Sequence, residues 1–218
     1  MNITPEVLEG EGYTLLDKLE HNELIPFIQT YSKKKTKASF AFTSLNILFL
    51  VALALLIGFN YSKGNITLSD VFLRPSLGLL IAFLLIPVHE LIHALAYKYV
   101  GAKNTSFDAH WKKLYFMAVA DKFVANRKEF IIVALAPFVV ISSISILSSL
   151  FVSTPLIITF SATLLIHTGF CSGDFAMLSY FEFHKHKDLV TYDDKENKIS
   201  YFYSKSAPLG KHIERSHS

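Results

Sequence analysis

The sequence predicts an all-α membrane protein of about four transmembrane helices, with short cytosolic β-hairpin-like segments in its middle loop and C-terminal tail. Three observations carry this expectation. Of the 218 residues, 51% are hydrophobic and the mean hydropathy is +0.37, whereas a soluble domain is about 45–50% apolar even with glycine counted. The apolar excess lies in four long blocks. The basic residues flank those blocks asymmetrically.

Residues 1–38 are polar and read as a short, largely helical cytosolic segment containing "TPEVLEGEG" and "TLLDKLEHNELIPFIQTYSKKK". They lack the pattern of a cleaved signal peptide, so the first apolar block is expected to remain as an anchor. That block runs from Phe40 to Phe59, "FAFTSLNILFLVALALLIGF". The second spans Pro75 to Tyr99, the third Phe130 to Val152 and the fourth Leu156 to Tyr180. Each reaches the roughly 20 residues needed to cross about 30 Å of hydrocarbon. The predicted organisation is a cytosolic segment over 1–38, a four-helix membrane core over 39–180 and a cytosolic tail over 181–218. The middle loop, "NTSFDAHWKKLYFMAVADKFV", is rich in aromatic and β-branched residues and is expected to hold short strands. In the tail, "LVTYDDKENKISYFY" places two strand-like runs around a polar turn.

Charge placement sets the orientation. All Lys and Arg except Lys63, Arg74 and Lys98 lie in the N-terminal segment, the middle loop or the tail. The positive-inside rule puts these three segments in the cytosol, so blocks two and four run in the same direction. The predicted location is the cell membrane, with the chain crossing several times and both termini inside. Lys33, Lys34, Lys35 and Lys37 read as the cytosolic flank of the first span. The net charge of +3 gives no case for a nucleic-acid partner. The single cysteine, Cys171, excludes an internal disulfide and any metal site built from several cysteines.

The chemistry lies in block two, where "HELIH" places His89, Glu90 and His93 inside an apolar run. Ionisable groups are costly there and point to function. On a helix, residues four apart share a face, so both imidazoles can converge on one ion. Glu90 flanks that face as a general base for a water activated by zinc. With nine His and ten Glu in the chain, HExxH arises by chance about 2% of the time. The bland alternative is interhelical hydrogen bonding by the same three residues. Pro87 reads equally as a kink beside the site or as an ordinary membrane-helix proline.

HExxH supplies two ligands, and block four offers His167 and Asp174 in "HTGFCSGD" for the third. On a regular helix these stand about 10 Å apart along the axis, too far to share one ion. His93 and Asp174 each lie six residues from the cytosolic end of their block. With parallel blocks, Asp174 is therefore the expected ligand and His167 a cavity-lining residue. Gly173 is expected to let the backbone bend and bring the second helix close. The competing reading of Asp174 is a snorkelling carboxylate, and Cys171 reads as a small packing residue. Asp108, His110 and Asp121 are rival ligands placed outside the bilayer. His184 and His186 read as solvated tail.

HExxH on the second of four spans, "KEFIIVALAPF" opening the third and "GD" on the fourth resemble a family of small bacterial membrane proteins described as putative zincin peptidases. The resemblance covers roughly residues 75–180 and is similar also to a minimal site-2 protease. It implies His89, His93 and Asp174 as zinc ligands and Glu90 as general base. The site-2 group usually carries its aspartate in a Leu-Asp-Gly context, where this chain has Gly173–Asp174–Phe175. The expected function is a membrane-embedded Zn2+ metallopeptidase acting on a membrane-associated protein or peptide near the cytosolic side. A non-proteolytic metal transporter or sensor would use the same ligands without needing Glu90 as a base. A catalytically inactive scaffold needs no metal.

Overall fold

In a computed structural model, residues 4–110 and 115–206 are described. The side chains of Ala109, His110, Tyr115 and Ser206 lie outside that description, as do Lys112, Lys113, Lys211 and Arg215. The fold is mostly helical with two small antiparallel sheets. Its helices are α1 (Leu24–Ser32), α2 (Lys37–Ser62), α3 (Leu68–Leu84), α4 (Ile86–Tyr99), α5 (Arg127–Ser149), α6 (Thr154–Phe170) and α7 (Ser172–Phe183). By length and composition, α2 and α5 can each cross a membrane alone. The pairs α3–α4 and α6–α7 can cross only as bent units.

The breaks fall two residues before Pro87, read from the sequence equally as a kink or as an ordinary membrane-helix proline, and two residues before Gly173, expected to let the backbone bend. Block two begins earlier than Pro75, because a Thr67–Asp70 capping box starts α3 at Leu68. Pro75 then lies within α3. The chain turns by 42° at Leu85, and α4 begins with Pro87 in its first turn, where a missing N–H leaves no helical bond unmade. Block four turns by 46° at Cys171. Gly173 is not what admits the neighbouring helix, since a Cβ there would meet only Ile28 Cδ1 at 3.7 Å. The required glycine is Gly78. A Cβ at that position would lie 2.6 Å from Ala162 Cβ, 2.8 Å from Thr159 O and 2.9 Å from Thr163 N. Small residues at such crossings let membrane-type helices approach closely. From Gly78–Ala162 through Phe83–Phe170 to His89–Asp174 the contacts advance together along both chains, so the two bent units run parallel.

Strands β1 (Thr14–Glu20), β4 (Ala125–Asn126), β5 (Lys187–Asp194) and β6 (Ile199–Ser206) form one sheet in the order β1-β6-β5-β4. The expected tail hairpin is β5–β6. The expectation of a helical N-terminal segment fails over "TLLDKLE", which forms β1. Its backbone pairs with β6, a partner more than 170 residues away, from Thr14↔Ser204 to Glu20↔Ile199, and that tertiary pairing overrides local propensity. Strands β2 (Ser106–His110) and β3 (Tyr115–Val119) form a separate hairpin in the middle loop.

The sheet holds the helices that carry the site. β4 leads directly into α5, whose start is capped by Asn126 and Glu129. Phe130 stacks on Phe181 at 4.6 Å, and Tyr180 packs on Phe202 at 4.5 Å. Ser179 Oγ donates to Tyr31 O at 2.7 Å, and Glu182 accepts from Ala38 N–H at 3.0 Å. The second half of α7 is thus fixed against α1, α2 and β6, which sets the position of Asp174 at its first turn.

Candidate metal centre

His89, Glu90 and His93 occupy the face of α4 turned to α5, α7 and β3, and their exposures are only 8, 7 and 8%. The i, i+4 spacing brings His93 Nε2 within 3.0 Å of His89 Nε2. The bend at Cys171 carries Asp174 onto the same point: Oδ1 lies 3.1 Å from His93 Nε2 and Oδ2 3.5 Å from His89 Nε2. Zinc binds imidazole nitrogen at about 2.0–2.1 Å, so two ligand atoms of a tetrahedral site stand about 3.3–3.4 Å apart. The two nitrogens and the Asp174 carboxylate, which turns one oxygen to each of them, stand close to that spacing, and two imidazoles with one carboxylate are a donor set suited to zinc.

Glu90 is held differently. Its Oε2 accepts the Ala118 backbone N–H at 2.6 Å, and its Oε1 lies 4.0 Å from His89 Nε2. Ala118 belongs to β3, so the middle-loop hairpin fixes the carboxylate beside the three converging atoms. His93 Nδ1 lies 2.9 Å from Val133 O on α5. Neither backbone group has a side-chain signature, so no reading of residue types finds them.

His167 is not remote from the site. The expected separation of about 10 Å from Asp174 assumes a continuous helix, and the helix is broken between them. His167 Nε2 lies 3.1 Å from His89 Nδ1, and His167 Nδ1 lies 4.0 Å from Cys171 Sγ. Ligand-type atoms come together in two further groupings, His89 with His167 and Cys171, and His89 with Glu90 and His93. The first grouping forms a chain through the His167 ring, with His89 at one nitrogen and sulfur at the other, whereas His89, His93 and Asp174 converge on a common point.

Of the rival ligands of the middle loop, Asp108 and Asp121 are engaged by other partners, and the side chain of His110 lies outside the described residues. Asp108 Oδ2 meets His21 Nδ1 at 3.3 Å, and its Oδ1 meets Lys198 Nζ at 3.1 Å. Burial works to raise the Asp108 carboxyl, but His21 and Lys198 outweigh it and hold the group below the usual range. Asp121 accepts from Lys195 N–H at 2.9 Å in a turn beside β5. His184 packs on Tyr180 at 4.7 Å in the turn that ends α7.

A cavity of about 620 Å³ joins the centre to the sheet. Its wall includes Phe27 and Ile28 of α1, Phe116 of β3 and Met177 of α7, with His21, Asp193 and Ser200 at the sheet end. Burial raises the Asp193 carboxyl above its ordinary range, against the 2.6 Å hydrogen bond donated by Ser200. His21, Asp193 and Ser200 are not singled out in the sequence, because nothing local to them ties them to the residues of α4.

No curated protein and no solved structure matches the chain. Residues 82–188, just under half of the sequence, match the profile of a family described as "Putative zincin peptidase", and that match supports a zincin-like metallopeptidase family for this chain.

Proposed function

We propose that the chain is a membrane-embedded zinc metallopeptidase that hydrolyses peptide bonds of a membrane-associated protein near the cytosolic face. The observation that carries this reading is the convergence of His89 Nε2, His93 Nε2 and Asp174 within 3.0–3.5 Å of one another, beside a Glu90 carboxylate anchored by Ala118. Zinc held by those three residues supplies Lewis acidity, making water nucleophilic near neutral pH and polarising the scissile carbonyl. Glu90 Oε2 is fixed by its hydrogen bond, and its Oε1 accepts the proton of the attacking water. The carbon–nitrogen bond then breaks, and the same oxygen returns the proton to the leaving amine.

Membrane embedding draws support from the surface of the helices. Phe40, Leu55, Phe72 and Leu84 are each more than 65% exposed, and an apolar surface of this extent fits lipid rather than water. The basic flanks favour cytosolic termini and a cytosolic middle loop. Residues 39–180 form the proposed membrane core, with 1–38 and 181–218 on the cytosolic side, where β1 and β6 pair. A substrate helix must unwind for attack, because helical carbonyls are already hydrogen-bonded. In this reading the middle-loop hairpin of β2 and β3 holds the extended segment as an added strand, beside the Ala118 N–H that anchors Glu90.

Glu90→Gln tests the reading. The amide keeps an acceptor for Ala118 but cannot take a proton. Purified protein is expected to retain zinc and lose peptide hydrolysis by about 10²–10⁴-fold. Membrane proteomics of cells carrying this variant is then expected to show uncut substrates accumulating relative to wild type. Unchanged hydrolysis in the variant contradicts the assignment of Glu90 as base.

A further inference from the structure

We propose that His167 is a positioning residue for the metal centre: its Nε2 accepts a hydrogen bond from His89 Nδ1–H and so fixes the tautomer and ring orientation that present His89 Nε2 to the ion. The inference rests on the zinc-site reading above and adds to it a role for a residue outside the ligand set.

A neutral imidazole carries one hydrogen, on one nitrogen or the other. If Nε2 is to offer a lone pair to a metal, the hydrogen must sit on Nδ1, and that N–H then points away across the ring. A buried N–H left without an acceptor is costly. For His93 the acceptor is a backbone carbonyl, Val133 O at 2.9 Å. For His89 the group in that place is a side chain, His167 Nε2 at 3.1 Å. To accept there, His167 must carry its own hydrogen on Nδ1, which faces Cys171 Sγ at 4.0 Å, a weak acceptor. His167 is 1% exposed and Cys171 fully buried.

His167 lies in the last turn of α6 and Asp174 in the first turn of α7, on either side of the 46° bend. The one bent unit thereby meets the His89 ring at both ends, with an acceptor at Nδ1 and a carboxylate 3.5 Å from Nε2. Partners of this kind orient metal-binding histidines and raise their basicity, and removing one lowers metal affinity about 10–100-fold.

Two matched variants test the role. The side-chain amide of Gln reaches the position of an imidazole Nε2, whereas that of Asn reaches only the position of Nδ1. His167→Gln can therefore still accept from His89, and His167→Asn cannot. Zinc affinity of the purified full chain in detergent is measured by competition with a chromophoric chelator, and the ligand field by the absorption of the cobalt-loaded protein. His167→Asn is expected to weaken zinc about 10–100-fold and shift the cobalt bands, with His167→Gln close to wild type. Equal affinity of His167→Asn and wild type overturns the proposal, and so does equal loss in both variants, which would mark His167 as a ligand or a packing group. The double variant His89→Ala/His93→Ala separates the two levels. Zinc retained there defeats the metal-site reading and this inference with it. Zinc lost there but unaltered in His167→Asn defeats the inference alone. Nitrogen NMR of histidine-labelled, zinc-loaded wild type needs no variant: an N–H···N coupling between His89 and His167 is expected, and its absence contradicts the proposal.

Discussion

Gly78→Ala perturbs the centre from a distance. The added methyl would lie 2.6 Å from Ala162 Cβ, 2.8 Å from Thr159 O and 2.9 Å from Thr163 N. Carbon atoms in good contact stand about 3.5–4.0 Å apart, so α3 and α6 must separate by about 1 Å at the crossing. Two of the three obstructing atoms are backbone and cannot swing aside. Overpacking of this kind costs about 1–3 kcal/mol, and the 3.3 Å hydrogen bond from Thr163 Oγ1 to Gly78 O is stretched as well. The displacement also propagates. α3 continues into α4 and α6 into α7, so moving the crossing moves His89 against Asp174, which approach within 3.5 Å. A misplacement of about 1 Å at a reacting centre lowers activity by up to about 100-fold. Thermal unfolding of the metal-free chain in detergent is expected to show the stability loss, and chelator competition a weaker zinc site. Adding Ala162→Gly should restore only part of both, because it removes the 2.6 Å contact and leaves the two backbone contacts. A Gly78→Ala chain as stable as wild type, with the same zinc affinity, refutes the reasoning.

Further outcomes follow from the same geometry. Asp174→Ala should weaken zinc by more than the 10–100-fold expected for a residue outside the ligand set, as read by chelator competition on folded protein; wild-type affinity in that variant removes Asp174 from the ligands. Asp108→Asn takes the charge from between His21 and Lys198 and should loosen the β2–β3 hairpin by about 1.5–3 kcal/mol. Amide exchange in β3 should then speed up by roughly 10–100-fold while β5–β6 is unaffected, and unchanged exchange rejects a role for the Asp108 contacts in holding the hairpin. Lys103→Cys, at an exposed position of the middle loop, should resist impermeant thiol reagents in intact cells and react after lysis; labelling from outside reverses the proposed topology.

The parts of the site legible in the sequence are those set by local geometry. HELIH needs only a helix to bring His89 and His93 together, and the strand-like runs of the middle loop and tail needed only their composition. Asp174 was reached by counting residues from the ends of two blocks, which gave its neighbour correctly while missing how the approach is made. The counting used the rise of a regular helix; Gly173 signalled a bend two residues from the actual turn at Cys171, but not its size of 46°. The depth comparison set His167 against His93 and Asp174 and did not consider His89, one turn deeper, which His167 meets at 3.1 Å. Gly173 drew attention because it precedes Asp174, but the close crossing is at Gly78, whose role depends on which residues of α6 lie opposite. β1 was unreadable for a similar reason, since its partner strand lies at the far end of the chain. Ala118 and Val133 contribute through backbone atoms, which residue identity does not encode.

The central claim is that His89, His93 and Asp174 form a zinc site. Its most direct test is the metal content of the purified full chain, determined by elemental analysis alongside the double variant His89→Ala/His93→Ala, with both first shown to be folded. About one zinc per chain is expected in wild type and essentially none in the double variant. Equal zinc in the two proteins, or a folded wild type that takes up no zinc when it is supplied, contradicts the account.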